Sequence, residues 1–175
     1  MYDFLLADCG IRQLHARFAD AVWRQDSDSF AACFAIDGVW KIAGQHWLGR
    51  DSIGEACRVL LGRCERIQLL LGQPILEVAP ILEVTPGLEA LPGTATGRLQ
   101  VTEFAKKRDG TSAITFGVYY DRYVEQEGAW RFQWRHWSMA YHGPVDLSGA
   151  FITPPDYGPF PAAPGPDEPT YVRKV

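Results

Sequence analysis

The chain has 175 residues, a formal net charge of −4, 47% hydrophobic and 22% charged residues, which is the size and composition of one globular domain. The negative balance, with no basic run longer than Lys106-Lys107-Arg108, argues against a nucleic-acid partner, and no apolar stretch approaches the roughly 20 residues of a membrane-spanning helix. Aromatic residues reach 13%, with six Trp, which favours a thick core or a pocket for a flat apolar ligand.

The chain begins with two predicted helices. From Ile11 to Arg24 the apolar side chains recur every three to four residues, which predicts an amphipathic helix with Asp8 as its N-cap. Phe30, Cys33 and Phe34 continue the pattern. They predict a short second helix that stops at residues 37–38, where an Asp-Gly pair breaks the chain.

A hairpin and a third helix follow. Residues 39–42 and 46–48 read as two short strands around the turn formers Ala43-Gly44-Gln45. A helix then begins at Asp51 or Ser52, and its apolar spacing runs through Cys57 and Cys64 to position 67.

The four cysteines show neither a CxxC pair nor a Cys/His ligand spacing, so we expect reduced thiols that are mostly buried.

The second half of the chain is β in character. Four strands are predicted, at residues 75–84, 94–104, 113–126 and 129–141, and the last three form an antiparallel meander. Strands of about 12 residues coil as their twist accumulates. The sequence therefore predicts an α+β fold in which a curved, cone-shaped antiparallel sheet wraps around three N-terminal helices. The apolar positions change parity near Arg135, which indicates a β-bulge or burial of both faces.

Residues 144–175 are predicted to form an extended tail after a domain of residues 1–143. Eight of the twelve prolines lie between Pro144 and Pro169, a density that forbids a central strand or helix. Phe151, Tyr157 and other apolar residues of the tail suggest that it lies along the body or along a neighbouring subunit. The N-terminus has no basic segment of the signal-peptide type, which favours a cytoplasmic protein.

Several short stretches carry a resemblance to a known family. They are the helix segment 11–20 (IRQLHARFAD), 37–40 (DGVW), 49–50 (GR), 118–123 (VYYDRY) and 128–132 (GAWRF). In this order the chain resembles the SnoaL-like family of the nuclear transport factor 2-like superfamily, which includes scytalone dehydratase and hexachlorocyclohexane dehydrochlorinase. The resemblance implies a helix-filled cone with an apolar pocket and a homodimer or other homo-oligomer.

The resemblance also implies that the best-known chemistry of the family is missing. The dehydratase and dehydrochlorinase relatives pair an Asp near the end of the first helix with a His at the start of a long strand, so that the imidazole can take a proton. In this chain Trp23 matches the Asp position and Leu69 the His position, with Gln73 in the place of a family Asn. We therefore expect no such dyad, unless His15 or another histidine pairs with a carboxylate in the pocket.

By the same resemblance, eight residues are expected to line the ligand pocket: Phe18, Val22, Trp23, Trp40, Leu69, Tyr119, Trp137 and Met139. The candidate catalytic residues are Asp121, Arg135 and Asp20. Arg135 would stabilise an anion or enolate with Asp121 as its orienting partner, or the two would form an ordinary ion pair at the rim or surface. Asp20 could replace the missing carboxylate, although a surface salt bridge is the simpler role. His15 reads as a core histidine, and His136 and His142 lie where they could touch the pocket mouth.

No metal-ligand spacing, dinucleotide fingerprint, P-loop or serine-hydrolase motif occurs in the sequence, so neither a metal nor a cofactor is expected. Two functions remain open. One is a cofactor-independent lyase, isomerase or cyclase acting on a hydrophobic cyclic metabolite. The other is a non-catalytic protein that binds a similar ligand or serves as a scaffold or accessory subunit.

Overall fold

A computed structural model describes residues 4–79 and 93–172 of the chain. Three helices come first along the chain, interrupted by two strands: α1 (Phe4–Arg24), α2 (Ser27–Ala31) and α3 (Arg50–Gly62). The strands are β1 (Phe34–Ile42), β2 (Gln45–Leu48), β3 (Cys64–Leu71), β4 (Ile75–Val78), β5 (Thr94–Lys107), β6 (Ser112–Gln126) and β7 (Ala129–Gly143). Among the described helices, none is long and apolar enough to cross a membrane.

The helices differ from the sequence-based prediction at their ends. The first starts at Phe4, so Asp8 lies inside it and pairs with Arg12 instead of capping it. The predicted second helix ends early because Phe34 already belongs to β1. The third helix ends at Gly62, and the continued apolar spacing from Cys64 onward is the inward face of β3, a strand that the sequence analysis missed.

The seven strands form one sheet in the order β2-β1-β7-β6-β5-β3, with β4 paired to β5 beyond the end of β3. All pairs are antiparallel except β1 with β7, which run parallel. The wholly antiparallel sheet predicted from the sequence therefore needs correction at this one pair. Parallel strands need a long crossover connection. Here the connection from β1 to β7 is long enough because it contains all the other strands of the sheet. Part of the predicted strand 75–84, from residue 80 onward, lies outside the described residues.

Two β-bulges bend β7. Arg122 pairs with Trp134 and Tyr123 with Phe132, so Gln133 is an extra residue on β7, which confirms the bulge expected near Arg135. The second bulge leaves Ala140 between the pairs of Phe116 and Gly117. A side chain at Gly117 would collide with the backbone of Ser138 and Met139, so only glycine fits where the two strands approach this closely.

The concave face of the sheet packs on the helices and forms the core. Ile11, Leu14, Phe18 and Val22 of α1 are buried against inward residues of the sheet. Strand register orders those sheet residues in layers: Ala95 with Tyr123 and Phe132, Gly97 with Asp121 and Arg135, and Leu99 with Tyr119 and Trp137. The next layers hold Val101 with Leu71 and Gly117, then Glu103 with Leu69 and Thr115. The candidate residues thus project from the middle of the sheet toward α1.

The tail crosses the convex face of the sheet. Lys41 of β1 donates hydrogen bonds from Nζ to the carbonyl oxygens of Pro166 and Glu168 at 2.8 and 2.5 Å. The Thr170 hydroxyl accepts from the amide of Gly44 at 2.7 Å, and Phe151 forms a single β-bridge with Tyr141. The convex face of β7 is therefore covered in part by the tail of the same chain.

Candidate functional site

A fully buried ion pair lies at the centre of the cone. Arg135 of β7 donates from Nε and Nη2 to the two carboxylate oxygens of Asp121 on β6, at 2.8 and 2.9 Å, and neither side chain is exposed. The guanidinium carbon lies 3.8 Å from the ring centre of Phe132, 4.0 Å from that of Tyr119 and 4.4 Å from that of Phe18. The pair is thus neither at the rim nor on the surface, which were the simpler placements from the sequence. Aromatic rings and the carboxylate together compensate the buried charge.

His15 of α1 joins this pair through both of its ring nitrogens. Nδ1 lies 3.3 Å from Arg135 Nη2, and Nε2 lies 2.9 Å from the Tyr123 hydroxyl, which itself donates to Asp121 at 3.1 Å. Because arginine only donates, Nδ1 must be the acceptor, and the imidazole proton then sits on Nε2 and is donated to Tyr123. The four polar side chains therefore form one closed network with consistent donors and acceptors.

The protonation states follow from burial and from the arginine. Burial and the neighbouring Arg135 both lower the pKa of His15 well below 6.5, so the imidazole is neutral near pH 7. Burial raises the pKa of Asp121, and the charge and hydrogen bonds of Arg135 act against that rise. Burial also disfavours charged Arg135, but the Asp121 carboxylate outweighs it and raises the pKa of the guanidinium. Nη1 of Arg135 is buried and makes no hydrogen bond to the described residues.

The inferred absence of any histidine–carboxylate pair needs correction. His15 Nε2 lies 3.9 Å from Asp121 Oδ2, with the Tyr123 hydroxyl bridging them. This is a different pair from the one in the family, because its histidine comes from the middle of the first helix. Its imidazole already uses both nitrogens, so a substrate proton has no free lone pair to reach.

Seven of the eight expected pocket residues lie on inward faces. Five of them are buried, namely Phe18, Val22, Trp40, Tyr119 and Trp137, while Leu69 and Met139 pack against the core but stay partly exposed. The aromatic members contact other rings: Tyr119 lies 4.8 Å from Trp137 and 6.2 Å from Phe18, centre to centre. They therefore form much of the packed interior, and a ligand pocket lined by them remains a prediction.

Three residues lie where they cannot act in the interior. Trp23 is 59% exposed and borders a groove beside Ile67, because it is one residue past the buried face of α1. Asp20 is also exposed and pairs with Arg24 at 2.8 Å, so its expected catalytic role is wrong and the surface salt bridge is its actual one. His136 points to the convex face beneath the tail, away from the concave side.

Sequence reasoning missed one titratable side chain of the interior. Glu103 of β5 alternates with the buried residues Leu99, Val101 and Ala105, so it shares their inward face. Glu103 is half-buried, and desolvation raises its pKa to about 7, against an opposing effect of Lys107. Strand parity in the sequence, with one acidic residue among inward apolar ones, was the signal that could have identified it.

Two further features concern access and metals. An open depression of about 270 Å³ lies beside His15, between α1 and the Gly72-Gln73-Pro74 turn. It brings solvent close to the edge of the buried network.

Within residues 4–79 and 93–172, no three His, Cys, Asp or Glu side chains come together as metal ligands.

Comparison with known proteins assigns this chain to a family. The family model of the SnoaL-like domain matches residues 4–136, which include α1 and most of the sheet. The chain belongs to the SnoaL-like family. This places the protein in the nuclear transport factor 2-like superfamily and confirms the fold class expected from its sequence. No curated protein matches the chain significantly.

Solved structures resemble this SnoaL-like protein over most of its length. A variant of Rv3472, a protein of unknown function from Mycobacterium tuberculosis, is 25% identical, with a TM-score of 0.66 and 83% of each chain covered. A protein from Novosphingobium aromaticivorans that is assigned as a scytalone dehydratase is 16% identical, with a TM-score of 0.67 and coverage of 86% and 93%. A hexachlorocyclohexane dehydrochlorinase, LinA-type3 from Novosphingobium barchaimii, is 19% identical, with a TM-score of 0.65 and coverage of 86% and 97%.

Proposed function

We propose that this SnoaL-like protein binds a hydrophobic, cyclic small molecule at the open end of its cone and acts on it as a lyase or isomerase without a cofactor. The observation that carries the proposal is a set of inward-facing apolar residues that pack against the core yet remain half-buried: Ile42, Trp47, Leu60, Leu69 and Met139. These side chains come from four strands and a helix and remain accessible on the concave side of the sheet. An apolar ligand that binds there would cover them.

The depth of the site supports the same proposal. Behind the half-buried residues lie Trp137 and Tyr119, and one layer further the Arg135–Asp121 pair closes the interior. A flat ligand would meet aromatic faces at its inner end, with the Arg135–Asp121 pair one layer beyond them. Two of the similar solved structures bear the names of a dehydratase and a dehydrochlorinase, and eliminations of both kinds are lyase chemistry.

A second function, ligand binding without catalysis, is favoured by the polar network itself. His15 and Asp121 are fully engaged with Tyr123 and Arg135, as in a network that holds α1 against the sheet. If this network is structural, the residues named in the sequence analysis contribute no free acid or base, and the protein serves as a carrier, scaffold or accessory subunit. The expected homo-oligomer remains a prediction under both functions.

Binding of a neutral fluorescent probe, N-phenyl-1-naphthylamine, tests the pocket. Leu69 faces inward and Leu70 faces outward with 51% exposure, so the adjacent substitutions Leu69→Trp and Leu70→Trp form a matched pair. We expect Leu69→Trp to fill the site and raise the dissociation constant by about tenfold or more, with Leu70→Trp close to the unmodified protein. Circular dichroism of both variants checks that they fold. Equal affinity in all three proteins, or no binding to any, would contradict the proposed pocket.

A further inference from the structure

A surface groove of about 330 Å³ lies at the end of the sheet nearest the β5–β6 turn. Three of its lining residues are apolar and buried, namely Ile67 on β3, Ala105 on β5 and Ala113 on β6. Two others are large apolar side chains in contact with solvent: Trp23 near the end of α1 is 59% exposed, and Val145 just after β7 is 53% exposed. Exposed apolar surface beside a groove of this volume is typical of a small-molecule site.

Two positively charged side chains line the same groove. Arg66 of β3 and Lys106 of β5 are direct partners in the sheet, and both are exposed. Within the described part of the chain, neither forms an ion pair. Arg66 donates from Nη1 to the carbonyl oxygen of Glu65, and Lys106 donates from Nζ to that of Gly110. Because like charges directly opposite each other destabilise a sheet, an anion bound between the two side chains would stabilise it.

The charges around this pair also favour an anion. Residues 63–68 and 104–112 carry five basic side chains and two acidic ones, namely Arg63, Arg66, Lys106, Lys107 and Arg108 against Glu65 and Asp109. The Asp109 carboxylate is occupied within its own turn, since it accepts from the amide and the hydroxyl of Thr111 at 2.8 and 2.6 Å. The chain as a whole carries a net charge of −4, so this positive surface is local and would attract an anion to one side of the molecule.

The size of the groove favours a small ligand over a protein partner. A stable protein–protein interface buries about 800 Å² on each partner, whereas a groove of about 330 Å³ is near the lower limit of about 300 Å³ for small-molecule pockets. Among anions, a carboxylate matches both donors, because a guanidinium offers two parallel N–H groups to its oxygens and an ammonium adds a point charge. A planar ring system matches the exposed indole of Trp23, since aromatic faces stack with an offset.

We propose that this groove binds a cyclic carboxylate, a molecule that joins an apolar ring system to one carboxylate group. Arg66 and Lys106 bind the carboxylate by charge-assisted hydrogen bonds, while the ring system packs against Trp23. The site goes beyond the proposed function, because the half-buried residues at the mouth of the cone, such as Leu69 and Met139, do not line the groove. It is a second ligand site, on the surface of the protein.

Binding of 2-naphthoate, measured by isothermal titration calorimetry, tests the site. Its neutral analogue 2-naphthamide has the same ring system without the charge, and we expect it to bind about tenfold more weakly. The double variant Arg66→Gln with Lys106→Gln, the arginine–lysine variant, should raise the dissociation constant of naphthoate by about tenfold and leave that of the amide unchanged. The matched control is Arg17→Gln with Arg58→Gln, which removes the same charge from exposed positions outside the groove. It should bind naphthoate like the unmodified protein.

Trp23→Ala tests the contact with the ring system. Because the indole is exposed, its removal should leave the fold intact by circular dichroism, and we expect both naphthoate and naphthamide to bind about fivefold more weakly. Weaker binding of both ligands here, against weaker binding of naphthoate alone in the arginine–lysine variant, separates the apolar contact from the charges. Equal affinity of the unmodified protein for the acid and the amide, or equal naphthoate binding by the two double variants, would overturn the role of the two cations. Failure of naphthoate to bind would overturn the site.

The groove and the cone pocket are tested separately. We expect Leu69→Trp, which fills the proposed cone pocket, to weaken the binding of N-phenyl-1-naphthylamine but not that of naphthoate. If instead Leu69→Trp abolishes naphthoate binding and the arginine–lysine variant keeps it, the acid binds in the cone and the groove assignment is overturned. Sedimentation velocity tests a different occupant. Self-association of the unmodified protein that is lost in Trp23→Ala, together with no binding of naphthoate, would mean that a second copy of the chain covers the groove and that the ligand assignment is wrong.

Discussion

Arg135 and Asp121 are joined by two parallel hydrogen bonds, of 2.8 and 2.9 Å, in a layer of the interior where neither side chain reaches solvent. Such a fork fixes the relative position of β6 and β7 and gives His15 a donor to accept from. The pair therefore links the sheet to α1. We infer from these contacts that the pair helps to hold α1 on the sheet.

Removing one member of this pair should destabilise the protein strongly. In Arg135→Met the Asp121 carboxylate stays buried without its counter-ion, and we expect the free energy of unfolding to fall by about 3–5 kcal/mol. Urea unfolding followed by tryptophan fluorescence measures the change. The double variant Arg135→Met with Asp121→Leu should recover much of the loss, since both charges are then gone.

The surface pair of Arg24 with Asp20 supplies the control. Arg24→Met removes an exposed arginine that pairs at the surface with exposed Asp20 and half-buried Asp26, and such surface ion pairs contribute little to stability. We expect its unfolding curve to overlay that of the unmodified protein. An Arg135→Met protein as stable as Arg24→Met would mean that the buried pair does not hold the fold.

The sequence predicted the frame of this molecule better than its site. Long strands with alternating apolar residues, together with turn pairs such as Glu127-Gly128, gave β5 to β7 nearly to the residue, because alternation and turn chemistry are local properties. The helix-like spacing of Cys64 and Ile67 was misleading, because a β-bulge between Cys64 and Arg66 places both side chains on the inward face of β3, whereas a regular strand would turn them to opposite faces. Trp23 was assigned to the pocket from family position alone, whereas the phase of α1, with Phe18 and Val22 inside, turns it outward.

The polar network depends on contacts that no local pattern contains. His15 meets Tyr123 across 108 residues of sequence, and only the register of β6 with β7 sets Asp121 opposite Arg135. The sequence predicted Arg135 and Asp121 as neighbours on adjoining strands, but it did not predict that both would be fully buried. Their burial depends on how far α1 covers the sheet, which is decided by the packing of the whole domain.

Acid should weaken the fold through His136. This imidazole is 1% exposed, and burial, then the charge of Lys41, lower its pKa from 6.5 to about 4. The unfolded chain therefore binds this proton more readily, so the contribution of neutral His136 to stability is complete above about pH 6.5 and is lost as the pH falls toward 4. His136→Gln should lose less stability than the unmodified protein between pH 7 and 4.5, as measured by urea unfolding at each pH.

His46 provides the comparison for this titration, because it lies exposed on the β1–β2 hairpin. We expect His46→Gln to keep the acid sensitivity of the unmodified protein. Some sensitivity should persist even in His136→Gln, since burial also lowers the pKa of His15. Identical pH dependence in the two variants would show that His136 titrates alike in the folded and unfolded chains.

The Pro-rich tail should detach from the sheet when Lys41 is replaced. Lys41 is 5% exposed, and its ammonium group donates to the carbonyl oxygens of Pro166 and Glu168. Lys41→Met therefore removes two charge-assisted hydrogen bonds between β1 and the tail. We expect amide hydrogen exchange to accelerate in residues 157–172 while β5 and β6 keep their protection. Lys106→Met, at an exposed lysine of β5, should leave the tail as it is. Unchanged exchange of the tail in Lys41→Met would mean that its apolar contacts, such as Phe151 against Tyr141 at 4.8 Å between ring centres, suffice to hold it.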